Sequence, residues 1–149
     1  MSFDANPYAG HDLYLPRAWH ESYQRYTRPE RSEGRDLDSA PFPRMVDMWW
    51  AALGIGVRQE QRSPMGDDPV KFETGSILNS DPWRITHLGL VAIAVEGDEV
   101  LDRPGEVIRI ANEYAATGSE YLVTTMAGHA KPMKPLLAWL RDFLLTADN

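Results

Sequence analysis

The stretch Pro41-Phe-Pro-Arg-Met-Val-Asp-Met-Trp-Trp-Ala-Ala-Leu-Gly-Ile-Gly-Val-Arg-Gln59 is the densest apolar run in the chain. Met45, Met48, Trp49, Ala52 and Ile55 recur at three- and four-residue spacing, and Val46, Trp50, Leu53 and Val57 fill an adjacent stripe. A helix lying on a protein surface shows one apolar stripe roughly 100° wide. Apart from Ala51, two stripes leave only Arg44, Asp47, Gly54 and Gly56 outside, which predicts a helix covered on nearly all sides and packed at the centre of the fold. Pro43 suits a first turn, and the charge of Asp47 suits the positive end of the helix dipole. Gly54 and Gly56 weaken the last turn, so the helix is expected to unwind there into an extended arm.

On the C-terminal side, residues 58–75 are polar and broken by Pro64, Gly66 and Pro69. Val70 and Phe72 are too sparse for a core strand, and a short β-ribbon or an extended excursion is expected. Asp67 and Asp68 lack further acids at calcium-loop spacing and read as a solvated turn. Asp81-Pro82-Trp83 opens the next helix, with Asp81 as N-cap and Pro82 at the first helical position, running through Leu88, Leu90, Val91, Ile93 and Val95 to Gly97. Pro104 starts a third helix carrying Val107, Ile108, Ile110, Ala111, Tyr114 and Ala115, closed by Gly118 as a left-handed cap. Ser119 with Leu122, Val123 and Met126 starts a fourth, and Leu136, Leu137, Trp139, Leu140, Phe143 and Leu144 form the last, with Pro135 near its start. Trp49, Trp50, Trp83 and Trp139 are all expected to reach the core.

On the N-terminal side, residues 1–40 differ in kind. They hold six aromatics (Phe3, Tyr8, Tyr14, Trp19, Tyr23, Tyr26), three leucines and no Ile or Val. A short helix from about Arg17 to Tyr26 fits Trp19, Tyr23 and Tyr26 at i, i+4, i+7. Residues 27–39, with Arg28, Arg31 and Arg35 among acids, read as a mixed-charge linker. Such a segment cannot bury enough aliphatic surface to fold alone. Two readings stand: an arm whose Tyr14, Trp19, Tyr23 and Tyr26 anchor a partner protein, or a segment that lies back on its own helical domain. The fold class is therefore mainly α: about five helices in a compact domain over residues 41–149, preceded by an extended aromatic arm and linker over residues 1–40.

The net charge of −7 and pI near 5.0 argue against a protein living mainly by phosphate contacts. A local basic patch from Arg58, Arg62 and Lys71, with Lys131 and Lys134, is the route left for direct DNA binding. The absence of cysteine excludes disulfides and thiolate metal sites and fits a reducing compartment. There is neither a membrane-spanning apolar run nor a signal-peptide pattern, so a cytoplasmic location is expected. Phosphate-loop, HExxH, Gly-x-Ser-x-Gly and dinucleotide motifs are missing. His11, His20, His87 and His129 are scattered, with no acid or nucleophile at a spacing that joins them on one helix, and no cofactor is implied. Glu113 pairs with Arg109 at i, i+4 as an ordinary surface ion pair, and Tyr114 reads as a core residue with its hydroxyl at the edge.

Several segments, in order, carry a resemblance. They are Asp47-Met48-Trp49-Trp50-Ala51-Ala52-Leu53-Gly54, then Arg62, Ala92-Ile93-Ala94, Glu99-Val100-Leu101, and Glu113-Tyr114-Ala115 through Gly118. Together they resemble the small accessory proteins of bacterial DNA phosphorothioation (Dnd-type) anti-phage defence clusters, over about Phe42 to Leu122 and in short pieces. That family offers no catalytic residues to carry over. The resemblance implies a non-catalytic accessory subunit that works by protein–protein contact with a larger ATPase or nuclease component, any nucleic-acid contact being indirect. A direct DNA-binding module is the alternative and a small enzyme with an unrecognised site the third. Homo- and hetero-oligomers both stay open.

Overall fold

The computed structural model describes residues 5–28 and 36–146. Phe3, the linker arginines Arg31 and Arg35, and the last three residues lie outside the described part. The architecture is mostly helical with one small antiparallel ribbon. The elements in order are β1 (Asp12–Leu15), α1 (Arg17–Arg25), α2 (Met45–Arg58), β2 (Val70–Thr74), α3 (Pro82–Glu96), α4 (Pro104–Met126) and α5 (Met133–Thr146), with short 3-10 segments at Gly75–Ser80 and Asp98–Asp102.

The centre is α4 rather than α2. It runs unbroken for 23 residues through Gly118, so the expected third and fourth helices are one. Gly118 is not a cap: a Cβ there would overlap the main-chain carbonyl of Ala52. The expected unwinding at Gly54 and Gly56 is absent for a related reason. Helix α2 continues to Arg58, and a Cβ at Gly56 would overlap the carbonyl oxygen of Tyr114. Gly56 and Gly118 thus let the α2 and α4 backbones touch, and close packing offsets the helix-propensity cost of about 1 kcal/mol per glycine. Trp49, Ala52, Ile110, Ala111 and Ala115 are buried around the crossing.

The N-terminal segment lies back on this pair. β1 pairs antiparallel with β2, Asp12 opposite Thr74 and Leu15 opposite Val70, with an irregularity between Leu13 and Tyr14. This is the short ribbon expected of the excursion, but its other strand comes from the arm. Tyr8, Leu13, Leu15, Tyr23 and Tyr26 are all buried. The Tyr14 amide donates to Asn112 Oδ1 at 3.1 Å. The Arg28 guanidinium donates to the Ala40 and Pro41 carbonyls at 2.6 and 3.3 Å, sewing the end of the segment to the approach of α2. Residues 5–28 and α2–α5 therefore share one core, and the boundary expected at residue 40 does not separate two packing units among the described residues.

Candidate functional site

Helix α2 is not covered on all sides. Its Trp50, Ala51, Gly54 and Val57 face an open groove whose other walls are Trp83, His87 and Val91 of α3 and Leu136, Leu140, Phe143 and Leu144 of α5. The groove encloses about 680 Å3, and among its sixteen lining residues only Arg58 and His87 carry polar side chains. Amphipathic patterning explains why it stays open. α5 turns Leu136, Trp139, Leu140 and Phe143 toward the body, so its first turns seat on the domain while Leu144 and Leu145 stand 51% and 65% exposed. The volume and apolar lining lie within the range of ligand- and peptide-binding clefts.

At one end of the groove sits a charged and aromatic cluster that joins the starts of α2 and α3. Arg44 donates to the Asp47 carboxylate at 2.8 Å and to Asp81 at 2.8 Å, while Arg84 donates to Asp47 at 3.1 Å. The Asp47 carboxylate also accepts the Arg44 main-chain N–H at 3.0 Å, closing the first turn of α2. Asp81 sits at the N-cap of α3, as read from the sequence, yet makes no side-chain cap bond; its carboxylate is committed to the two arginines. Burial pushes the Asp47 carboxyl up, but the hydrogen bonds and charges of Arg44 and Arg84 outweigh it and hold its pKa below the ordinary value. The Arg44 hydrogen bond and both arginine charges likewise depress Asp81. The Arg84 guanidinium lies 5.2 Å from the ring centres of both Trp50 and Trp83. Its Nε and Nη1 are buried without a hydrogen-bond acceptor among the described residues, and the two indole faces supply negative potential in place of one.

Trp83, expected in the core, is 50% exposed. It stands edge-on to Trp50 at 5.5 Å and to His87 at 5.4 Å, forming a rim of the groove. His87 Nδ1 lies 2.8 Å from the Trp83 carbonyl. A carbonyl only accepts, so Nδ1 carries the proton of the neutral ring.

The residues singled out from the sequence are scattered. Tyr23 and Tyr26 are closed off in the core, whereas Tyr14 and Trp19 are half-buried. Arg58 lies over the Phe143 ring, with a hydrogen bond to the Leu144 carbonyl at 3.3 Å. Arg62 is held by Glu113 at 2.7 Å, a partner 51 residues away that the local spacing with Arg109 concealed. Arg109 pairs with Glu106 and, at 2.9 Å, with Glu113. Lys71 reaches Asp12 at 3.3 Å. The three cations therefore lean on α5, α4 and β1 in turn. Lys131 and Lys134 are exposed near the start of α5. Tyr114 is 8% exposed, as expected. Among the described residues there is no group of three or more His, Asp or Glu that could hold a metal ion, and no helix is long and apolar enough to cross a membrane. The groove escaped the sequence reading; its signal was the doubled apolar pattern of α5, which offers more leucine than one buried stripe needs. Comparison with family models, with curated proteins and with solved structures finds no match for this chain.

Proposed function

We propose that the chain is a small non-catalytic accessory subunit that works by taking one amphipathic helix of a larger protein into the groove between α2, α3 and α5. The observation that carries this reading is the groove itself. An apolar trough of about 680 Å3 walled by three helices suits the helix-in-groove mode, in which side chains at i, i+3, i+4 and i+7 fill a trough. The exposed edge of Trp83 adds an aromatic anchor of the kind that dominates interfaces. The resemblance of Asp47–Gly54 and Glu113–Gly118 to Dnd-type accessory proteins supplies the setting: the larger partner is an ATPase or nuclease component of anti-phage DNA defence in the cytoplasm.

Gly54 gives the test. It lines the groove, and a Cβ there meets nothing within 4 Å, so Gly54→Arg fills the trough without disturbing the core. A photo-crosslinker at Val91, in cells carrying the defence cluster, should trap one larger subunit, and Gly54→Arg should abolish the adduct without lowering the melting temperature. An adduct that survives Gly54→Arg removes the groove from the interaction. Tight duplex binding by the purified chain that falls steeply with salt would favour the direct DNA-binding alternative through Arg58, Arg62 and Lys71.

A further inference from the structure

A second cavity lies between β1 and the first turns of α4 and shares no lining residue with the groove. It encloses about 270 Å3, and its walls include His11, Asp12, Tyr14, Ile108, Arg109 and Asn112. Asn112 is the anomaly among them. An asparagine in a helix interior competes with the helix's own bonding, and this one is 5% exposed. Its Oδ1 accepts the Tyr14 main-chain N–H at 3.1 Å. A main-chain N–H only donates, so that bond fixes which way the side-chain amide is turned and leaves Nδ2 on its other side. Among the described residues Nδ2 finds no acceptor, yet it is not sealed from solvent. The cavity is what it opens onto. A donor held in place on a buried side chain without an acceptor points to an acceptor that arrives from outside.

The charges in the wall are already matched. Asp12 holds Lys71 at 3.3 Å, and Arg109 is taken by Glu106 and Glu113, with Glu113 shared with Arg62. The cavity therefore offers no net charge to attract an ion, and its volume falls below the roughly 300–1,000 Å3 of drug-sized sites. What it does offer is one fixed donor, Asn112 Nδ2, and one acceptor. An ionised carboxylate has lone pairs for several donors, and Lys71 engages only Oδ1 of Asp12. We propose that the cavity binds a small neutral molecule bearing a –CO–NH– edge, whose carbonyl oxygen accepts from Asn112 and whose N–H donates to Asp12. Two sources share that chemistry: the lactam ring of a nucleobase such as uracil, and an open carboxamide such as nicotinamide. Gly105 serves the same site. A Cβ there would come within 3.2 Å of the His11 ring, so the glycine lets the imidazole wall the cavity beside the start of α4.

The test is a titration of the full, isotope-labelled chain with uracil and with nicotinamide at millimolar concentration, followed by NMR through the side-chain amide signals. Saturable binding of at least one is expected, with the Asn112 Nδ2 signal among those that move, and the tighter of the two identifies the source as lactam or open carboxamide. Uracil methylated on both nitrogens, and nicotinamide methylated twice on its amide, keep the carbonyl and lose the N–H. Each should bind at least about tenfold more weakly than its parent, the loss expected for a hydrogen bond to a charged group. Asp12→Ala removes only an exposed ion pair from the fold and should weaken the parent by a similar factor. Asn112→Asp keeps the bond from Tyr14, removes the donor and should abolish binding; where that buried charge unfolds the chain, Asp12→Ala alone decides. No saturable binding by either probe, binding indifferent to N-methylation, or binding unaffected by Asp12→Ala would each overturn the site.

Discussion

Tyr23 shows how much one hydroxyl can be made to do. Ser119 Oγ donates its only hydrogen to the Ala115 carbonyl at 2.7 Å, so the 2.7 Å contact with Tyr23 must run from the tyrosine to the serine. Burial pushes the phenol's pKa up and keeps it a donor at any ordinary pH. Tyr23→Phe removes that donor and leaves a Ser119 that still has its carbonyl, so a loss of about 0.5–1.5 kcal/mol is expected in denaturant melts. Tyr23→Ala, which also opens a cavity, should cost about 3–5 kcal/mol. The Asp47–Asp81 pair predicts an acid limb. Both carboxyls titrate lower in the folded chain than in the unfolded one, so their stabilisation is complete above the ordinary aspartate pKa of about 3.9. It is lost as pH falls through the lower folded values. The melting temperature should therefore drop steeply below about pH 4, and Asp47→Asn should flatten that drop while lowering stability at neutral pH. Each half of this cluster was legible as an i, i+3 pair, but nothing in the sequence joins Arg44 to Asp81 across 37 residues.

The helices tell a similar story through their glycines. Their type and most of their starts follow from apolar spacing and from Pro82 and Pro104, whereas the length of α4 was hidden because a glycine followed by a serine has the look of a helix end. The signal for the longer helix is Ala111, Ala115 and Gly118 on one stripe, small residues at helical spacing that let backbones close, and Gly118 does close on Ala52 of α2 as Gly56 closes on Tyr114. Gly54 and Gly56, two residues apart, should accordingly respond in opposite directions to the same change. Gly54→Ala, with open space around the new methyl, should raise stability by about 0.5–1 kcal/mol. Gly56→Ala and Gly118→Ala must push two helices apart and should each cost about 1–3 kcal/mol or more, read from chemical denaturation. The openness of α2 toward the groove was not legible, since an apolar face reads the same whether a neighbour or a vacancy lies over it.

Across the whole molecule, the N-terminal segment is a structural member. Tyr8, Leu13, Leu15, Tyr23 and Tyr26 are each nearly fully buried. At about 1.5–3 kcal/mol for each apolar side chain, their sum rivals the ~5–15 kcal/mol by which a domain is stable. A chain lacking residues 1–27 is expected to lose its cooperative thermal transition by circular dichroism, whereas a detachable arm would leave it unchanged. The sequence left these two outcomes level, because a tyrosine facing an interface and one facing its own core have the same neighbours along the chain. The pairing of the first segment with α4, the longest helix, also sets a timetable. Tyr14 waits for Asn112 and Tyr23 for Ser119, 98 and 96 residues further along. At about 5–20 residues per second, the ribosome holds the opening aromatics without their seat for several seconds, with the next hundred or so residues still to be made. During that interval they are available to chaperones or to neighbouring nascent chains, and the finished fold shuts only when α4 has left the exit tunnel.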